Sequence, residues 1–183
     1  MNWLDTQTKE ILQKEHEPKL FPPKVAEFAL VLIRKGQNHA RMVRAVSKIN
    51  ECSERDAAAL LNRSTPITIN PDLTEEEALM GQFELICCDA ISAFVRSEVL
   101  ERNQGAYLQS VFDAVSHSAE FRPTTVNVAE VPQTEAGEKF IDQFFGGRVA
   151  PQVFPLALEV PFKKARIMKH WAGRIGAEIQ IFL

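Results

Sequence analysis

The chain is short of the residues that reactive sites and stapled scaffolds require. Among 183 residues there are only three cysteines, four histidines and eight glycines. Cys52, Cys87 and Cys88 are odd in number and two are neighbours, which argues against a disulfide framework and for a reducing cytoplasm. No stretch approaches the roughly 20 apolar residues of a membrane-spanning helix. Met1-Asn2-Trp3-Leu4-Asp5-Thr6 lacks the basic-then-apolar pattern of a secretory signal. The expectation is a soluble cytoplasmic protein with no membrane partner.

Specific chemistry is equally scarce. His16, His39, His117 and His170 lie far apart, and no Cys-x-x-Cys or His-x-x-x-His spacing occurs, so neither a metal nor another cofactor is expected. Gly146-Gly147, the one glycine pair, is not followed by Lys-Ser/Thr and opens no helix, which excludes a phosphate-binding loop or dinucleotide fingerprint. There is no Gly-x-Ser-x-Gly elbow. Glu75-Glu76-Glu77 fits the first turn of a helix, where the dipole favours acids. Catalysis is left with a Cys52–His39 dyad as its candidate. Charge of one sign is missing too. The 21 Lys and Arg nearly balance the 24 Asp and Glu, for a net charge of −3, so any polyanion would need a local basic patch.

What is present is ordinary apolar periodicity, enough for one domain or two small ones. Trp3, Leu4, Ile11 and Leu12, with Thr8 between them, describe an amphipathic helix ended by Pro18 and Pro22-Pro23. That helix packs on its own chain or on a second subunit. Phe28-Ala29-Leu30-Val31-Leu32-Ile33 reads as a strand buried on both faces. Gly36 and Asn38 supply a turn, and a helix follows with Met42, Val43, Val46 and Ile49 in one stripe and Arg41, Arg44 and Lys48 in another. Ser53 with Asp56 starts a second helix carrying Ala57, Leu60 and Leu61. Pro66-Ile67-Thr68-Ile69 is a short strand. Thr74 and Glu77 form a capping box, with Leu73 as its staple, for a helix whose stripe is Leu79, Phe83 and Ile86. A strand over Ala90–Val95 closes the unit.

Ser97–Phe121 reads as a helical connector with Tyr107, Val111, Phe112 and Val115 on one face. The second unit runs strand Thr125–Val131, helix Glu135–Phe145, a break at Gly146-Gly147, and a loop marked by Pro151 and Pro155. Strand Leu156–Val160, helix Phe162–Arg174 and strand Ala177–Phe182 complete it. Pro66-Ile67-Thr68-Ile69 and Pro155-Leu156-Ala157-Leu158 open stretches of similar length and pattern, so a duplication is expected.

Several pieces point to a family. Ile33-Arg34-Lys35-Gly36-Gln37-Asn38-His39, Met42-Val43-Arg44-Ala45-Val46, Ala57, Leu60, Pro66 and Leu73-Thr74-Glu75-Glu76-Glu77-Ala78 together resemble the C-terminal domain of the bacterial ribosomal stalk protein. That domain shares its fold with the Clp protease adaptor. Lys163-Lys164-Ala165 through Arg174-Ile175-Gly176-Ala177-Glu178-Ile179 resembles the last helix, Gly-Ala turn and last strand of the same fold. The resemblance implies an α/β (α+β sandwich) protein, with a β-α-α-β-α-β unit followed by a degenerate β-α-β-α-β unit. The expected divisions are 1–20 for the first helix, 21–96 for the stalk-like unit, 97–121 for the connector and 122–183 for the second unit. In the stalk family the first helix and its following turn dock translation factors, which implies roles for Val43, Arg44 and His39. Ser47 replaces the family's terminal basic residue, and Glu51-Cys52-Ser53-Glu54 replaces its glycine-rich turn. The scaffold is kept and the surface changed.

Function then falls to surfaces. Arg41, Arg44 and Lys48 line one helix opposite its apolar stripe. Lys163, Arg166, His170 and Arg174 do so on the last helix, opposite Ala165, Met168, Trp171 and Ile175. The expected activity is non-enzymatic binding of a protein partner, as an adaptor or assembly component, through Arg41, Val43, Arg44, Lys48, Lys163, Arg166 and Arg174. The alternatives are a ribosome- or nucleic-acid-associated protein using the same stripes, and an enzyme using Cys52.

Overall fold

A computed structural model describes residues 6–13, 26–102, 106–146, 149 and 153–182. Trp3, Leu4, Pro18, Pro22-Pro23, Gly147 and Pro151 lie outside the described residues, as does the side chain of Tyr107. The chain divides into two compact units, residues 1–117 and 118–183.

In the first unit, β1 (Phe28–Arg34) lies between β2 (Ile67–Leu73) and β3 (Ile91–Arg96), antiparallel to both. Phe28 to Leu32 are all buried because both faces of this central strand are covered. On one face lie α2 (His39–Asn50), α3 (Glu54–Leu61) and α4 (Glu75–Cys87). Leu30 points at α4, where Gly81 makes room. A Cβ on that glycine would stand 2.7 Å from Leu30 Cδ2. On the other face, α5 (Ser97–Arg102) and α6 (Ala106–Ser116) bring Leu100, Leu108 and Phe112 against Val31, Ile33 and Val95. Coverage on both sides is why the strand reads as an unbroken apolar run.

Strand β2 continues beyond Ile69 to Leu73 through Pro71. An edge strand tolerates a residue without an N–H, and register shifts against β1 around Leu30 accommodate it. Helix α1 (Thr6–Gln13) packs on α4 of its own chain, with Thr8 and Leu12 buried and Lys9 Nζ 2.9 Å from the Glu76 carboxylate.

Side chains start these helices as the sequence suggests. Ser53 Oγ accepts the Asp56 N–H, and Thr74 and Glu77 form both halves of a capping box. Asn38 is the N-cap of α2 as well as a turn residue, since its Oδ1 accepts the Arg41 N–H. At the end of α2, Glu51 adopts a left-handed φ of 50°. A residue with a Cβ costs about 1–2 kcal/mol there, and glycine does not. Glu51→Gly is therefore expected to stabilise the first unit by about 1 kcal/mol, measured as a higher urea midpoint at unchanged slope.

The second unit opens with a short 3-10 turn, Ala119–Phe121, leading into β4 (Pro123–Glu130). It continues with α7 (Glu135–Phe145), β5 (Leu156–Pro161), α8 (Phe162–Ile175) and β6 (Glu178–Phe182). Again the first strand is central, in the order β5-β4-β6, and both pairings are antiparallel. Thr124, Val126 and Val128 are buried while Pro123 and Thr125, alternating with them, are exposed, so one face of this sheet carries the core. Phe140, Phe144, Ile167, Met168 and Ala172 fill that core. Gly146 (φ 68°) and Gly176 (φ 77°) end α7 and α8 in the left-handed conformation that glycine adopts without penalty.

This is an α+β protein in which the repeat β1-α2-α3-β2-α4-β3 recurs, with one helix fewer, as β4-α7-β5-α8-β6. In each unit a register shift falls near the end of the central strand against the third strand, at Leu32/Arg34 and at Val128/Glu130. The Thr65–Pro66 and Phe154–Pro155 bonds, just before β2 and β5, are cis. No helix among the described residues is long and apolar enough to cross a membrane.

Candidate functional site

Charge is sorted by helix. α2 (HARMVRAVSKIN) and α8 (FKKARIMKHWAGRI) contain no acid. α4 (EEEALMGQFELIC) contains no Lys or Arg. α7 carries Glu135, Glu138 and Asp142 against the single cation Lys139. Lys139, one turn on from Glu135, donates a hydrogen bond to that carboxylate and holds it below the usual carboxylate range through the bond and its charge. Among the described helices, α2 and α8 are the two that carry several cations and no acid.

On α2, Met42, Val43, Ala45 and Val46 are buried against the unit, leaving His39, Arg44 and Lys48 exposed and Arg41 half-buried. Val43 is 7% exposed, so it supports the face from beneath and offers little of itself to a partner. Lys48 is bridged to Glu84 of α4, which anchors one end of the stripe. Arg34, the last residue of β1, and Lys35 just after it are also exposed, and Lys35 Nζ donates to the Arg63 carbonyl at 2.9 Å.

On α8 the outward ridge differs from the one helical spacing suggests. Lys163 is 1% exposed, as is Lys164. The Lys163 ammonium lies 5.6 Å from the Phe121 ring centre, beneath the surface instead of on it. The first turn of α8 is tucked against the Ala119–Phe121 turn, so a position that periodicity assigns to the outer stripe is covered. The outward residues are Phe162, Arg166, Lys169 and Gly173, with His170 and Arg174 on the flank.

Pairing of Pro123 with Pro161 sets Arg122 beside Phe162, whose N–H donates to the Arg122 carbonyl at 3.0 Å. The guanidinium carbons of Arg122 and Arg166 stand 4.9 and 5.8 Å from the Phe162 ring centre. Arg166 also holds the Glu120 carboxylate at 2.9 Å. An arginine laid on an aromatic ring is oriented and partly stripped of water, which suits it to carboxylates. Sequence reasoning missed Arg122, because about 40 residues separate it from Phe162 and only sheet register joins them. It missed Lys169 and Gly173 because the helix was phased on Lys163.

The Cys52–His39 pair does not assemble. His39 begins α2 and Cys52 follows its end, so roughly 16 Å of helix lies between them and the proposed dyad is ruled out. Cys52 is half-buried in the turn, where Ser47 Oγ donates to its carbonyl at 2.6 Å. Cys87 and Cys88 are buried. Among the described residues no group of three or more His, Cys, Asp or Glu could hold a metal ion.

Comparison with protein-family models, with curated proteins and with solved structures finds no match. What defines the class is therefore the architecture itself: two three-stranded antiparallel sheets, each packed with helices, presenting one acid-free helix per unit.

Proposed function

We propose that this chain is a non-enzymatic adaptor or assembly protein that captures a protein partner on the outward faces of α2 and α8. The observation that carries the reading is the sorting of charge: α2 exposes Arg44 and Lys48, α8 exposes Lys169 and Arg174, and neither helix carries an acid. Electrostatic complementarity of this kind governs encounter and partner choice more than raw affinity. The first unit is proposed to be a relative of the ribosomal stalk and Clp adaptor scaffold, a reading supported by its β-α-α-β-α-β order and by Met42-Val43-Arg44-Ala45-Val46 on α2. Its altered surface, with Ser47 and Glu51-Cys52-Ser53-Glu54 at the docking positions, favours a different partner from that of the stalk.

Reversal of Arg41 and Arg44 to Glu is expected to leave the circular dichroism spectrum and melting temperature unchanged and to remove the proteins that copurify with the native chain. Recovery of the same proteins in the same amounts would assign function to another surface. The absence of acids from α2 and α8 also favours a second reading, attachment to nucleic-acid phosphates. Affinity for RNA would then fall linearly in log–log fashion as salt rises.

A further inference from the structure

Gly173 is out of place in a helix that no tight contact demands. It lies on the outward ridge of α8, three residues before the Gly176 cap, and a Cβ built on it meets nothing within 4 Å. Glycine inside a helix lowers stability relative to almost any other residue, and no contact among the described residues requires one there. What the missing side chain provides is a flat spot one turn beyond the exposed Lys169 and beside Arg174. At the other end of the ridge, Phe162 is half-exposed and carries the guanidinium groups of Arg122 and Arg166. The chain also shows the chemistry of recognition on a small scale, since the Glu120 carboxylate is seated on Arg166 at 2.9 Å.

From these features we infer that the α8 ridge is the docking surface for an acidic protein segment, whose backbone passes closely over Gly173 and whose carboxylates meet Lys169, Arg174 and Arg122. The inference rests on the adaptor reading and specifies its partner at this helix. Cations, an aromatic ring and a flat glycine in one row match the mixed composition of protein interfaces, in which Arg and aromatic side chains are enriched. Nucleic acid is the poorer fit. A strand of phosphates gains little from a bare glycine, and the stacking row typical of single-strand binding is reduced here to one ring already occupied by arginines.

The test is fluorescence anisotropy on the full chain at low ionic strength, with labelled poly-L-glutamate and, separately, labelled poly(U) of matched charge. Poly-L-glutamate is expected to bind with an affinity that weakens as salt rises. The pair Lys169→Glu and Arg174→Glu should weaken it about tenfold. Gly173→Gln changes no charge and should raise the melting temperature, yet weaken poly-L-glutamate binding severalfold by filling the flat spot. Binding of poly(U) alone, binding of neither polymer, or wild-type affinity in Gly173→Gln would each overturn the inference. If reversal at Arg41 and Arg44 abolishes partner capture while reversal at Lys169 and Arg174 does not, the inference fails and the adaptor reading stands.

Discussion

Gly36→Ala is expected to destabilise the first unit by about 3 kcal/mol, although replacing a glycine by alanine can stabilise a fold. With a compatible backbone, the exchange gains about 0.4–1 kcal/mol by restricting the unfolded chain. Here the new methyl would stand 1.8 Å from the backbone carbonyl oxygen of Cys88. That oxygen has little freedom. It belongs to the turn between α4 and β3, held by N–H bonds from Cys88 and Ala90 to Leu85 and from Asp89 to Ile86. Ala90, which follows, is fully buried. The loop bearing Gly36 must therefore move, pulling on β1 and on the Asn38 cap of α2, and the clash outweighs the entropic gain. Urea unfolding followed with amide exchange would show the loss as reduced protection in β1, β3 and the first turn of α2. Gly137 meets the same constraint in the second unit, where a Cβ would lie 1.9 Å from the Pro132 carbonyl oxygen. Unchanged or higher stability in Gly36→Ala would show that the loop and turn are not packed as described.

Phe140→Ala is expected to cost about 3–5 kcal/mol in the second unit. Phe140 is 2% exposed and lies at the centre of an aromatic group, 4.9 Å from Phe144 and 6.4 Å from Phe145. Phe144 in turn stands edge-on to Trp171 of α8 at 6.3 Å. Truncation removes the apolar surface of a whole ring and leaves a cavity that flanking rings close only in part, because each is fixed by its own neighbours. Since the group ends on Trp171, the change should also shift tryptophan emission in the native state and lower the denaturant midpoint. A midpoint within experimental error of the native protein would mean that this core tolerates a void. In that case the second unit is looser than its buried aromatics indicate.

Both changes strike positions that the sequence marks unequally. Phe140 could be read from apolar periodicity in Glu135–Phe145. Gly36 could be read only as a turn residue, because its close approach to Cys88 joins segments about fifty residues apart. The same division runs through the fold. The buried run at Phe28–Ile33, the caps at Ser53 and Thr74, and the recurrence at Pro66 and Pro155 were legible because each is a local pattern. The extension of β2 through Pro71 was hidden, since tolerance of proline depends on lying at a sheet edge, which is a tertiary fact. The burial of Leu108 and Phe112 on the second face of the first sheet was hidden too, because helical spacing alone cannot say what a face meets.

The surfaces follow the same rule. The cation stripe on α2 was legible because Arg41, Arg44 and Lys48 repeat on one helix and their apolar counterparts are unambiguous. On α8 the phase slipped, because Lys163 has the spacing of an outer residue and the burial of an inner one. Periodicity cannot anticipate a neighbouring turn that covers the first residues of a helix. The arginine pair on Phe162 required the β4–β5 register before it could be seen.

The central claim is that an apolar interior holds each unit together while the cationic helix exteriors do the binding, so that the two roles separate. It is tested most directly by one variant carrying Glu at Arg41, Arg44, Lys169 and Arg174, compared with the native chain for melting temperature and for capture of its copurifying partner. The account predicts native-like melting with capture lost; full capture by the folded variant would contradict it.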